Sequence, residues 1–178
     1  MRKLTEIRWH ARAGQGARTA AEVLALAALV DGESVQAFPE YGPERRGAPL
    51  RAFTRLSDRP IRRHDGVTDP DLVVVIEPSL VHETDVAEGL RPGGVVLVNA
   101  EETPAELDEA PVRLVPASRL AAENGSGFAN IVMLGAVAAV LGAPPLELVQ
   151  DAAVETLGRK RAAESVRASV EAGYRWLS

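Results

Sequence analysis

Three short stretches of this sequence hold residues whose types and spacing could do chemistry. Arg12-Ala13-Gly14-Gln15-Gly16-Ala17 is a glycine turn, and backbone N–H groups at the start of a following helix can approach an anion such as a phosphate there. Gly14, Gln15, Gly16 and, one turn on, Thr19 are the candidates. A tight turn required only for packing explains the same residues, since this is not the three-glycine dinucleotide fingerprint. The second stretch, Glu40-Tyr41-Gly42-Pro43-Glu44-Arg45-Arg46-Gly47, is dense in charge. Tyr41, Glu44, Arg45 and Arg46 suit binding of a carboxylate or phosphate, or an intersubunit salt bridge, with an ordinary solvated loop as the plainer alternative. The third is Asn130, a lone amide among Ala129, Ile131, Val132 and Met133. A buried amide must find partners, and a structural hydrogen bond is the more frequent reason for one.

Other chemistries are excluded or unsupported. There is no cysteine, so the chain has no disulfide, no thiol nucleophile and no cysteine-ligated iron–sulfur cluster. His10, His64 and His82 share no metal-ligand spacing, and no G-x-S-x-G elbow is present, so neither a metal site nor a catalytic residue is expected. The net charge of −5 argues against general nucleic-acid binding. The longest apolar stretch, Ile131 to Ala143, is too short to span a bilayer. Arg2, Lys3, Glu6 and Arg8 interrupt any signal-peptide core, so a cytoplasmic location without membrane contact is expected.

The elements that must position these residues follow from the hydrophobic pattern. With 178 residues, the chain has the size of one domain, 1–178. Leu4, Ile7 and Trp9 mark a strand that runs into the glycine turn, and Ala17 to Leu29 is patterned as a helix. Ser34 to Phe38 is a second strand. Leu50 to Leu56 alternates apolar residues with Arg51 and Arg55, as a strand with one wet face does. The wholly apolar runs Asp71 to Ile76 and Val95 to Val98 read as central parallel strands, with a helix expected over Val81 to Leu90 between them, and Val112 to Val115 as a further strand. Helices are expected at 117–123, 128–141, 146–157 and 159–176. The fold class is therefore α/β: a three-layer, Rossmann-like, mostly parallel sheet flanked by helices, with a helical C-terminal region over about 117–178.

Ile7-Arg8-Trp9-His10, Gly14-Gln15-Gly16-Ala17, Thr19-Ala20-Ala21 and, most specifically, Val35 through Pro49 closely resemble the gamma subunit of pyruvate:ferredoxin oxidoreductase. The similarity continues through Ala52 to Ser57, Pro60-Ile61 and Asp69-Pro70-Asp71, reappears at Asn130, and thins after about Leu157. The resemblance implies an α/β subunit that assembles with alpha and beta chains holding thiamine diphosphate and Mg, and with a delta chain carrying iron–sulfur clusters. Such a complex converts a 2-oxoacid and coenzyme A to acyl-CoA and carbon dioxide and reduces ferredoxin. No cofactor is expected on this chain alone, which would be inactive in isolation. Pyruvate is the favoured oxoacid.

Where the family usually has glycines, this chain has Ala11 and Ala13. A methyl group there blocks positive φ and crowds a ligand lying on the backbone, which shifts the expected chemistry from the turn toward Arg45 and Arg46. The competing readings are an independent nucleotide-binding module using the glycine turn, and a pure scaffold. No acidic residue clearly closes the second strand to hold a ribose, because Glu40 lies beyond Pro39.

Overall fold

The computed structural model describes residues 4–40, 47–157 and 162–178. Six strands form one sheet: β1 (Thr5–Arg12), β2 (Ser34–Pro39), β3 (Pro49–Ser57), β4 (Leu72–Val75), β5 (Val95–Val98) and β6 (Val112–Leu114), in the order β2-β3-β1-β4-β5-β6. Strands β1, β4, β5 and β6 run parallel, while β3 pairs antiparallel with both β1 and β2. The expected mostly parallel α/β sheet is therefore present, with an antiparallel pair at one edge. All four residues of β4 are buried, as their unbroken apolar run requires of a strand covered on both faces.

One face of the sheet is covered by helices α1 (Ala17–Val30), α3 (Ala129–Leu141), α4 (Leu146–Leu157) and α5 (Ala163–Leu177), with α2 (Ala117–Glu123) leading into α3. Ile7, Trp9, Leu72, Val74 and Leu97 point into this layer, which is built largely from Ala, Val and Leu. Helices α3 and α5 pack backbone to backbone: a Cβ on Gly135 would fall 1.9 Å from the Val170 carbonyl oxygen, and one on Gly173 1.9 Å from that of Val132. The helical C-terminal region is thus fastened into the core.

The opposite face is covered differently from the expected helix over Val81 to Leu90. A 3-10 segment, Pro78–His82, is followed by turns, and a second 3-10 segment, Ala105–Leu107, completes a small cluster with Val73, Val75, Val96 and Val98. Tertiary and local bonds compete with the helix here. Asp85 accepts a hydrogen bond from the Ala87 N–H at 3.0 Å, and the carbonyls of Val86 and Glu88 accept from the Arg8 guanidinium at 3.0 and 2.5 Å. Gly89 turns at φ +72°, where an added Cβ would meet the Thr68 carbonyl oxygen at 2.1 Å.

Strand β3 also departs from expectation. It is buried from Ala52 through Ser57, and Arg55 has no exposed surface. The reason lies across the strand pair: Arg55 donates from Nε to Glu6 at 2.8 Å, and Glu6 is joined by Arg91 at 2.6 Å and Arg63 at 3.5 Å. The alternation along β1 thus places Glu6, Arg8 and His10, all buried, on the second face.

Candidate functional site

The glycine turn follows β1 directly. Gly14 (φ +98°) and Gly16 (φ +80°) adopt the left-handed conformation that side chains resist, whereas neither alanine does: Ala11 is a fully buried residue of β1, and the Ala13 N–H is bonded to the Ala48 carbonyl at 2.9 Å. The alanines therefore leave the turn's shape intact. Gly16 caps α1 with no side-chain bond. The amide of Asn130, at the start of α3, donates to the Gly16 carbonyl at 3.1 Å, and a Cβ on Gly16 would fall 2.4 Å from that Asn130 nitrogen. Asn130 thus locks α3 to the start of α1, as a structural amide does, while its Oδ1 is buried without a partner.

Beside this junction is a cleft of about 600 Å3 outside the carboxyl ends of β1, β4, β5 and β6. Gly14, Gln15, Phe128 and Ala129 line it together with Glu77 and Asn99, which follow β4 and β5, and Ser118 at the start of α2. Gln15 is the hinge pin of this arrangement. Its Oε1 accepts from the Arg12 N–H at 2.7 Å and its Nε2 donates to Glu77 at 2.6 Å. Burial pushes the Glu77 carboxyl upward, but the donors on Gln15 and Ser79 outweigh it and hold its pKa below the usual value. The Asn99 amide donates to the Ile76 carbonyl and to Ser118 Oγ, both at 2.9 Å, and accepts from the Ser118 N–H at 3.0 Å. Arg119, at the rim, bridges Glu101 at 2.9 Å and Glu123 at 3.4 Å.

Of the residues singled out from sequence, Gly14 and Gln15 line the cleft; Gly16 and Asn130 set its back corner, and Thr19 lies in the first turn of α1 away from it. Tyr41, Glu44, Arg45 and Arg46 lie outside the described residues. The residues flanking them are anchored at the same end of the sheet: Glu40 takes both guanidinium contacts of Arg51 at 2.5 Å, and the Gly47 carbonyl lies 3.4 Å from Arg12 Nη1. Glu77, Asn99 and Ser118 were not anticipated. A polar residue directly after a wholly apolar parallel strand is the signal that points to Glu77 and Asn99. Among the described residues no group of three metal-ligating side chains comes together.

Fold and cleft together define an α/β domain of Rossmann-like class, with its crevice where the strand order changes direction. The family model described as pyruvate ferredoxin/flavodoxin oxidoreductase matches residues 6–176. The chain is 46% identical over 176 residues to the pyruvate/ketoisovalerate oxidoreductases common subunit gamma of Thermococcus kodakarensis, covering 95% of each. It is likewise 46% identical over 172 residues to the pyruvate synthase subunit PorC of Methanothermobacter marburgensis, covering 94% of this chain and 97% of that one. The crystal structure of pyruvate oxidoreductase subunit PORC from Thermotoga maritima superposes with a TM-score of 0.84 at 37% identity, covering 97% of this chain and 96% of that one. This chain belongs to the pyruvate ferredoxin/flavodoxin oxidoreductase family, and it matches the gamma subunit over nearly its whole length.

Proposed function

We propose that this chain serves a pyruvate:ferredoxin oxidoreductase as the subunit that helps to hold coenzyme A, and that the cleft beside the Gly14–Gly16 turn receives part of that cofactor. The observation carrying this reading is the position of the cleft: open, lined by both polar and apolar groups, and bordered by the uncapped start of α1 at the carboxyl ends of parallel strands. Glu77 offers a carboxylate to hydroxyl or amine groups, Ser118 offers a hydroxyl, and Ile76, Pro116 and Phe128 supply apolar walls. Arg45 and Arg46 would pair with coenzyme A phosphates or with carboxylates of a neighbouring subunit.

The remaining chemistry is assigned to other chains. Alpha and beta subunits would hold thiamine diphosphate and Mg, and a delta subunit the iron–sulfur clusters, consistent with the absence of cysteine here. Oxidative decarboxylation with coenzyme A would then yield acyl-CoA and carbon dioxide, with two electrons passing to ferredoxin. The Thermococcus relative is described as a subunit common to pyruvate and ketoisovalerate oxidoreductases. A shared gamma subunit fits an oxoacid pocket built on other chains, with pyruvate as the favoured substrate.

The test uses the assembled complex carrying Glu77→Ala. Losing a charged hydrogen-bond acceptor should raise KM for coenzyme A about tenfold or more, with kcat and KM for the oxoacid unchanged. Unchanged coenzyme A kinetics would overturn the assignment of the cleft.

A further inference from the structure

Two arginines are buried on the same face of the sheet, on neighbouring strands, and they are satisfied very differently. Arg55 on β3 meets Glu6, Gln36, Asp65 and the Gly66 carbonyl, so its charge is balanced within the chain. Arg8 on β1 is 3% exposed and touches no carboxylate side chain among the described residues. Its Nη2 donates to the carbonyls of Val86 and Glu88, and its Nε donates to His10 Nε2 at 3.1 Å, so His10 is held neutral. Arg8 also lines a separate cavity of about 350 Å3, and no described residue accepts a bond from its Nη1. Burial, and then the nearby Arg51 guanidinium, keep the pKa of Arg8 below the ordinary arginine value, against the opposing pull of Glu88, Asp85 and Glu40, none of whose carboxylates bonds to it.

The cavity is shaped for a small group. Phe53, Val67 and Gly89 line it, Arg51 is already paired with Glu40, and Asp69 and Glu88 stand exposed at the rim. A dianion entering past those rim carboxylates would be repelled, whereas a single carboxylate can reach the free edge of the guanidinium with the geometry that arginine favours. We infer that the Arg8 cavity is a carboxylate-binding site, distinct from the cleft at the carboxyl ends of the strands. The carboxylate comes either from a small free monocarboxylic acid or from an acidic side chain of an adjoining subunit. A leucine or methionine would pack here without requiring two carbonyls and a neutral histidine to hold it.

The experiment is a titration of the full chain, with 15N-labelled arginine and backbone, by acetate. Saturable shifts of the Arg8 side-chain signal and of the Val67, Thr68 and Gly89 amides are expected, with weaker effects from inorganic phosphate. Glu88→Gln, at an exposed rim position, should tighten acetate binding several-fold, and Arg8→Gln should abolish it. If the natural carboxylate is a partner's side chain, acetate will also weaken association with the other subunits, as will Arg8→Gln; if it is a free acid, association will not respond to acetate. No saturable response at Arg8, or acetate affinity unchanged in Glu88→Gln, would overturn the inference even if the Arg8 variant failed to fold.

Discussion

Replacing Gly16 with alanine tests whether the corner of the cleft is held by the Asn130–Gly16 contact. The new methyl would meet the Asn130 side-chain nitrogen at 2.4 Å, and the residue would have to keep φ near +80°. Left-handed backbone costs a non-glycine residue about 1–2 kcal/mol. Displacing the amide breaks its 3.1 Å bond to the Gly16 carbonyl and leaves buried polar groups unpaired, about 1–3 kcal/mol more. Gly16→Ala should therefore destabilise the chain by about 2–5 kcal/mol in urea unfolding followed by circular dichroism. In an Asn130→Ala background the amide is no longer present to be displaced, and the same glycine substitution should cost only about 1–2 kcal/mol. The difference, about 1–3 kcal/mol, is the coupling between the two positions. Equal costs in the two backgrounds would refute the reasoning, because the penalty would then arise from φ alone.

Two further outcomes concern the buried polar stripe of β1. Glu6 is 1% exposed and takes contacts from Arg55, Arg91 and Arg63, so Glu6→Gln should destabilise by about 3–5 kcal/mol, whereas Glu6→Leu combined with Arg55→Met should recover most of that in thermal unfolding. Burial, reinforced by the charges of Arg8 and Arg51, lowers the His10 pKa from 6.5 to about 3. Below pH 6.5 the unfolded chain binds a proton that the native chain refuses, so stability should fall with pH from there down to about 3, by about 2 kcal/mol at pH 5. His10→Asn, which cannot titrate, should flatten that part of the stability profile; an unchanged slope would show that the imidazole is not held neutral.

Much of the fold could be read along the chain because its cause is local. Unbroken apolar runs specify β4 and β5, small apolar residues at helical spacing specify α1, a longer unbroken Ala/Gly-rich apolar stretch specifies the buried helix α3, and Gly14 and Gly16 supply the positive φ that lets a strand turn into a helix. The absence of cysteine sets a limit on the chemistry of the chain whatever its fold. Family membership was legible in the Val35 to Pro49 run, and the comparison over residues 6–176 agrees with it.

Tertiary structure decided what no local pattern carries, namely which distant polar groups meet. Arg55 looked like a solvent-facing arginine until β1 brought Glu6 opposite it, and Val81 to Leu90 looked helical although Arg8 claims the carbonyls of Val86 and Glu88. The turn at Gly14–Gly16 came to border a cleft only when Glu77 met Gln15 and Asn130, 114 residues further along, met Gly16. A buried charge or amide is tolerated only with a partner, and that partner is chosen by strand order and register, which separate neighbours in space from neighbours in sequence.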